Sequence, residues 1–259
     1  MQRTTMTAAA TLVAAISAFA GPAAATTAVS GSLNVVANST IDATTVTDLQ
    51  TGGWASVPAG LVENASATVV NGADFIVTTG SATAGWTSAD AGSVHFANYG
   101  WNFNVNNPST TAAASNLTQG RGGDDWSYTF TATQNGTITL NYNVFPTTGS
   151  PFGLWGWGVD WNGGGGSGFP FLNPNNPTQN GVFTAPLVSG QTYTIGLNGN
   201  PNVFYQGASG SYAGQMAGDF TWSISGVPEP TAWALMLAGT AALGGVVRGR
   251  RRQSASAAT

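Results

Sequence analysis

The sequence contains no cysteine, no lysine and very little charge of either sign. Its 259 residues include six arginines, ten acidic residues and one histidine, so that only 6% of the chain is charged. The absence of cysteine excludes disulfide bridges, thiolate metal sites and thiol nucleophiles. The scarcity of cations excludes the basic surface that binding to nucleic acid requires.

The few charges are unevenly distributed along the chain. Four of the six arginines lie near the C-terminus: Arg248, Arg250, Arg251 and Arg252. Residues 26–226 hold nine acidic residues and one arginine, Arg121, a net charge of −8. Hydrophobic residues make up 42% of the chain and tryptophan occurs nine times, which predicts a folded chain. We expect one acidic domain that repels phosphate backbones and does not bind nucleic acid.

The first 25 residues are typical of a secretory signal peptide. Arg3 is followed by an uncharged, mostly apolar stretch over residues 6–20 and then by small residues. This order is that of a signal peptide and not of a buried helix. Cleavage by signal peptidase is predicted after Ala20 or after Ala25, because each of them closes a small-x-small triplet.

The C-terminus combines a rigid turn, a short apolar run and the arginine cluster. The turn consists of Val227, Pro228, Glu229 and Pro230, whose two prolines fix two φ angles and remove two backbone donors. The uncharged run from Thr231 to Val247 spans only about 26 Å as a helix, which is short for a bilayer. Trp233 lies where an interfacial aromatic belongs, and the arginines would stop the helix on the cytoplasmic side. We expect a single membrane helix with residues 26–226 facing outward.

This tail resembles the PEP-CTERM sorting signal of exosortase substrates. The resemblance covers residues 227–252 and is carried by the Pro-Glu-Pro triplet, Trp233-Ala234, the short helix with small residues and the terminal arginines. It implies that a bacterial exported protein is held in the inner membrane until an exosortase cuts near the triplet. Residues 253–259 would form a short cytoplasmic tail. The same tail has also been labelled as the C-terminal region of ice-binding proteins, a label that describes the tail alone.

Residues 26–226 show the period-two alternation of β-strands. In residues 126–144, apolar residues alternate on both sides of Asn135-Gly136, which predicts a hairpin. A second hairpin is predicted for residues 66–78, with its bend at Asn71-Gly72. Strands with one buried and one wet face are typical of two packed antiparallel sheets. The fold class predicted is all-β, a jelly-roll-like antiparallel β-sandwich.

Residues 155–161 carry the candidate glycan contacts, Trp155, Trp157, Asp160 and Trp161. The even spacing, of two and then four residues, places the three tryptophans on one face of an extended strand. Aromatic faces with a carboxylate nearby are what a carbohydrate site requires. A strand that buries one face in the core shows the same alternation. Both interpretations remain open at this point.

Catalytic and metal sites have weaker candidates. Asp124, Asp125 and Asp160 could supply the carboxylates of a glycoside hydrolase, and Asp124 with Asp125 could bind calcium. Adjacent aspartates in a strand point to opposite faces, and no D-x-D-x-D loop is present. His95 lies on the polar side of a strand, and no G-x-S-x-G elbow accompanies it. We expect no catalytic residue and no cofactor, with calcium as the alternative.

Together these features predict an exported envelope or matrix protein that an exosortase processes. Its sandwich is expected to be non-catalytic and to bind or lie within exopolysaccharide. Two alternatives remain: a secreted polysaccharide-active enzyme that uses aspartates, and a purely structural or adhesive protein, of which ice binding is a variant.

Overall fold

The computed structural model describes residues 24–54, 56–57, 59–115, 125–148, 153–154, 157–161, 179–199, 202–206 and 209–226. Within these ranges the regular elements are fourteen strands and no helix: β1 (Thr26–Ile41), β2 (Thr44–Trp54), β3 (Ala59–Asn71), β4 (Asp74–Ser88), β5 (Ala91–Val105), β6 (Thr111–Ser115), β7 (Trp126–Ala132), β8 (Gly136–Thr148), β9 (Gly153–Leu154), β10 (Trp157–Trp161), β11 (Gln179–Leu187), β12 (Thr192–Gly199), β13 (Asn202–Gln206) and β14 (Gly210–Gly226). No helix in this part of the chain is long and apolar enough to cross a membrane.

The strands form two antiparallel sheets. The eight-stranded sheet has the order β10-β12-β7-β1-β6-β13-β9, with β2 paired to β1, and the six-stranded sheet has the order β11-β8-β14-β5-β4-β3. Strands β3 to β5 follow one another as a meander, whereas from β7 onward the chain passes repeatedly between the sheets. The prediction of an all-β antiparallel sandwich is confirmed.

The hairpin predicted for residues 126–144 is wrong. Strand β7 pairs with β1 and β12, whereas β8 pairs with β14 and β11 in the other sheet. Asn135 accepts a hydrogen bond from the Ser189 amide at 2.9 Å, in the segment that leads from one sheet to the other. An Asn-Gly pair between alternating runs is therefore compatible with a corner between sheets as well as with a hairpin. The second predicted hairpin is confirmed, because Asn71 pairs with Asp74 around Gly72, whose φ is 63°.

Aromatic side chains dominate the core between the sheets. Trp86 and Trp126 stack with ring centroids 6.1 Å apart, and Tyr128 lies 4.6 Å from Trp222. A smaller apolar cluster, which includes Phe103, lies between the sheets near the ends of β1, β5 and β6. The alternating run at residues 126–144 supplies Trp126 and Tyr128, and its apolar face in β7 is the buried one, as the alternation predicted.

Four glycines lie opposite a tryptophan of the neighbouring strand, and the indole ring occupies the space that a side chain would take. The pairs are Gly31 with Trp54, Gly92 with Trp222, Gly199 with Trp157, and Gly214 with Trp101. A Cβ atom on Gly31 would lie 2.1 Å from Trp54 Nε1, far inside van der Waals contact. These glycines therefore mark close approach of an aromatic ring to the backbone.

Replacing Gly31 with alanine is expected to lower the free energy of unfolding by about 1–3 kcal/mol, because the new methyl group displaces the Trp54 ring. Gly60→Ala is the matched control, since a Cβ there would lie 3.9 Å from its nearest neighbour, the Ala84 carbonyl oxygen. Chemical denaturation of both variants measures the difference. Equal stabilities of the two variants would contradict this packing.

Candidate functional site

A groove of 520 Å³ crosses β3, β4, β5 and β14 on the outer face of the six-stranded sheet. Its polar lining consists of four amides and two hydroxyls: Asn64, Asn98, Asn102, Gln215, Thr79 and Ser81. Small residues, Gly80, Gly100 and Gly214 among them, line the remainder together with Val77 and Trp101. Trp101 is only 6% exposed, so its ring offers no broad stacking surface. The groove therefore presents mainly hydrogen-bonding groups.

A missing side chain and irregular strands account for the depression. Gly100 pairs with Thr79 on β4 and with Gln215 on β14, so that no side chain fills the space between these two polar residues. The pairing register shifts between Thr79 and Ser81, and Asn98 has a φ of 54°. Such a bulge redirects side chains and is frequent next to binding sites. Here it brings Asn98 to the groove.

Hydrogen bonds orient the polar groups. Gln215 Nε2 donates to Asn98 Oδ1 at 2.7 Å, and the Thr79 hydroxyl donates to the Asn98 carbonyl oxygen at 3.0 Å. A side-chain amide offers both donors and an acceptor. Two amides held side by side can therefore bind a pair of neighbouring hydroxyl groups on one ligand.

The groove is electrically neutral in an acidic surrounding. None of the described residues that line it carries a charge. Elsewhere on the same outer face, His95 contacts Asp219 of the adjacent strand, and their side chains are 50% and 49% exposed. The described ranges contain eight carboxylates and neither lysine nor arginine. An anionic ligand would meet repulsion without a compensating cation in this part of the molecule.

The structure places Trp157 and Trp161, two of the candidate glycan contacts, in the core, in agreement with the second of the two interpretations of this strand. They are 3% and 8% exposed. The Trp157 ring lies 4.4 Å from that of Phe96, and the Trp161 ring lies 5.2 Å from that of Tyr193. Their faces are covered by other aromatic rings, so a sugar cannot stack on them. Trp155 lies outside the described residues.

Two of the aspartates named from the sequence, Asp160 and Asp125, accept hydrogen bonds within the fold. Asp160 is half-buried on the outward side of β10 and accepts a hydrogen bond from Asn198 Nδ2 at 2.5 Å. Asp125 is fully buried, and its Oδ2 accepts a hydrogen bond from the Gly199 amide at 2.5 Å. Burial, together with the nearby Asp125 charge, raises the pKa of Tyr99 well above its ordinary value.

In the part of the chain that the structure describes, no group of three or more histidine or acidic side chains lies close enough together to hold a metal ion. Asp124 lies outside this part. Asp125, the other calcium candidate, is buried and accepts a hydrogen bond from the Gly199 amide, and calcium binding by this pair stays a prediction.

The processing residues lie mostly beyond the described ranges. This applies to Ala20 and to the whole sorting signal: Val227, Pro228, Glu229, Pro230, Trp233, Arg248, Arg250, Arg251 and Arg252. Their roles stay predictions. Ala25 lies within the described ranges and is buried.

A smaller depression of 340 Å³ lies where the β1–β2 turn, the β3–β4 turn and the β5–β6 loop meet. Asp74 there accepts hydrogen bonds from the Thr110 hydroxyl at 2.7 Å and from the Asn106 amide at 2.6 Å. The hydrogen bond from Thr110, followed by that from Asn106, holds the pKa of Asp74 below its ordinary value of 3.8. The carboxylate thus fastens the loop to the start of β4.

The Asp74→Asn variant is expected to have a lower Tm than the wild type at pH 7, by roughly 3–6 °C. Because the pKa of Asp74 is depressed by folding, its stabilising effect is present above pH 3.8 and is lost as the pH falls below that value. The two Tm values should therefore converge in acid. Thermal denaturation of both proteins from pH 7 to pH 3 measures this, and a constant difference would contradict it.

No family model matches the chain, and no curated protein sequence matches it. Among solved structures, it is similar to the CBM22-1 xylan-binding domain from Paenibacillus barcinonensis Xyn10C, with 11% identity over 46% of this chain and 74% of that chain. The TM-score is 0.20, at which the likeness carries no argument about this chain.

Proposed function

We propose that the chain is an exported, exosortase-processed protein of the bacterial envelope or extracellular matrix, and that its non-catalytic sandwich binds neutral polysaccharide in the groove. The single observation that carries the binding role is the paired arrangement of Asn98 and Gln215 in an uncharged groove. The export and sorting steps rest on the sequence motifs at the two ends.

The chemistry of the groove suits a polyhydroxylated ligand. Sugars present neighbouring hydroxyl groups that both donate and accept hydrogen bonds. A side-chain amide can accept from one hydroxyl through its oxygen and donate to another through its nitrogen. Its volume of 520 Å³ falls within the range of about 300–1,000 Å³ that small-molecule sites occupy. The groove runs across four strands and is open to solvent, which would admit a segment of a longer chain. A neutral polymer fits this shape and polarity.

Charge supports a neutral ligand over an acidic one. Eight carboxylates and no lysine or arginine occur in the described ranges, so a uronate or sulfated polymer would be repelled. This repulsion should weaken with added salt, because screening shortens the range of the field.

The position of the last strand suits release of the intact sandwich. Strand β14 ends at Gly226, directly before Val227 and the Pro-Glu-Pro triplet. Cleavage in the triplet would remove no residue of β14, which is the central partner of β5 and β8. The binding face would therefore reach the matrix unchanged.

Co-sedimentation of the purified protein with the neutral exopolysaccharide of its host tests the proposal. A carboxymethylated derivative of the same polymer is the matched control. We expect the neutral form to be bound at least roughly tenfold more tightly at low salt, with the difference shrinking at high salt. Failure to bind the neutral polymer would contradict the proposal and favour a purely structural protein.

A further inference from the structure

The first described residues are tied to the sandwich on both sides. The Ala25 amide donates to Asp90 Oδ2 at 2.9 Å, and the Ala25 carbonyl accepts from the Thr133 amide at 2.9 Å. One residue earlier, the Ala24 carbonyl accepts from the Thr133 hydroxyl at 2.7 Å. Ala25 itself is 5% exposed and belongs to the main core. Two residues ahead of β1 are thus part of the folded domain.

The first residue of β1 makes further contacts beside this segment. The Thr26 hydroxyl lies 2.7 Å from Asp90 Oδ1 and 2.6 Å from the Ala89 carbonyl oxygen, and Thr26 is 2% exposed. The Tyr128 hydroxyl donates to the same Ala89 carbonyl at 2.7 Å. The segment therefore joins the start of β1 to the β4–β5 turn and to the end of β7.

Cleavage after Ala25 would remove the contacts that Ala24 and Ala25 make. The Thr133 amide would lose its Ala25 acceptor, the Asp90 carboxylate would lose the Ala25 donor, and the Ala25 methyl group would leave the core. The new α-amino group would be created on Thr26, a buried residue, and its charge would need the nearby Asp90 carboxylate as a partner. Cleavage after Ala20 removes none of these contacts, because Ala24 and Ala25 stay attached.

We infer that signal peptidase cleaves after Ala20 and that the mature protein begins at Gly21, so that Ala24 and Ala25 form the first part of the sandwich. The inference rests on the signal peptide expected from the sequence and is independent of glycan binding. It chooses between the two cleavage sites that the small-x-small pattern leaves open.

Intact-mass analysis of the full-length chain after export from a bacterial host tests the inference. We expect a mature N-terminus at Gly21. The Ala18→Leu variant places a large side chain at the first position of the upstream triplet and should prevent this cleavage. The Ala23→Leu variant changes the downstream triplet in the same way and should leave the N-terminus at Gly21. An N-terminus at Thr26, an uncleaved wild type, or loss of processing in Ala23→Leu would each overturn the inference.

Hydrogen exchange supplies a readout that does not depend on the protease. In the exported protein, the Thr133 amide should exchange at least tenfold more slowly than that of an exposed loop residue, because it donates to Ala25. Rapid exchange at Thr133 would show that the Ala24–Ala25 segment is not docked and would overturn the inference.

Discussion

Replacing Trp157 with alanine is expected to lower the free energy of unfolding by about 3–5 kcal/mol, the usual cost of truncating a buried large aromatic side chain. The ring lies between Phe96, Tyr99 and Phe220, with centroids 4.4, 5.6 and 5.4 Å away. It also covers Gly199 of the adjacent strand. The variant therefore leaves a cavity that these neighbours close only in part. Chemical denaturation followed by tryptophan fluorescence measures the loss.

Phe204→Ala is the control for this variant. Phe204 is also an aromatic residue in a strand, but it is 55% exposed, so its removal should cost less than about 1 kcal/mol. If Trp157→Ala kept its stability and lost polysaccharide binding, the ring would be a ligand contact and its assignment to the core would be wrong.

Replacing Asn102 and Gln215 together with alanine is expected to weaken binding of neutral polysaccharide about 100-fold. Each amide would lose at least one hydrogen bond to a sugar hydroxyl, worth about 1–1.5 kcal/mol or roughly tenfold in affinity. Asn102 is exposed, and Gln215 donates to Asn98 rather than to a core group. The double variant should therefore fold normally. Affinity chromatography on the immobilised polymer, with Tm as the measure of folding, checks both expectations.

Asn141→Ala is the matched control for the groove. Asn141 is an exposed amide on the same outer face, but it lies on β8 and does not line the groove. Its removal should leave binding within a factor of about two of the wild type. Equal losses for Asn141→Ala and the double groove variant would mean that the sheet face binds without a defined site.

Much of the sandwich could be predicted from the alternation of apolar residues. Val94, Phe96, Ile195, Phe220 and Trp222 are all buried, as the period of two indicates, and His95 lies on the outer face between two of them. The pattern fixes which face of a strand is buried but not which strand lies beside it. For this reason β7 and β8 were expected to pair, although they belong to opposite sheets.

The groove could not be predicted, because it spans four strands and the sequence places only β3 and β4 side by side. Asn64 and Gln215 are 151 positions apart, and the register shifts that redirect Asn98 leave no mark in the sequence. The sequence does not decide the role of Trp157 and Trp161, because their spacing suits both a stacking surface and a core strand. Only the packing of β10 against β12 and the opposite sheet decides between these two roles.

The most direct test of binding in the groove is an NMR titration of the protein with a neutral oligosaccharide prepared from the exopolysaccharide of the host. The side-chain amide signals of Asn98, Asn102 and Gln215 should shift progressively and saturably, while those of Asn141 and Asn143 stay unchanged. Shifts confined to β10, or no saturable shift at all, would contradict the assignment of the groove as a polysaccharide site.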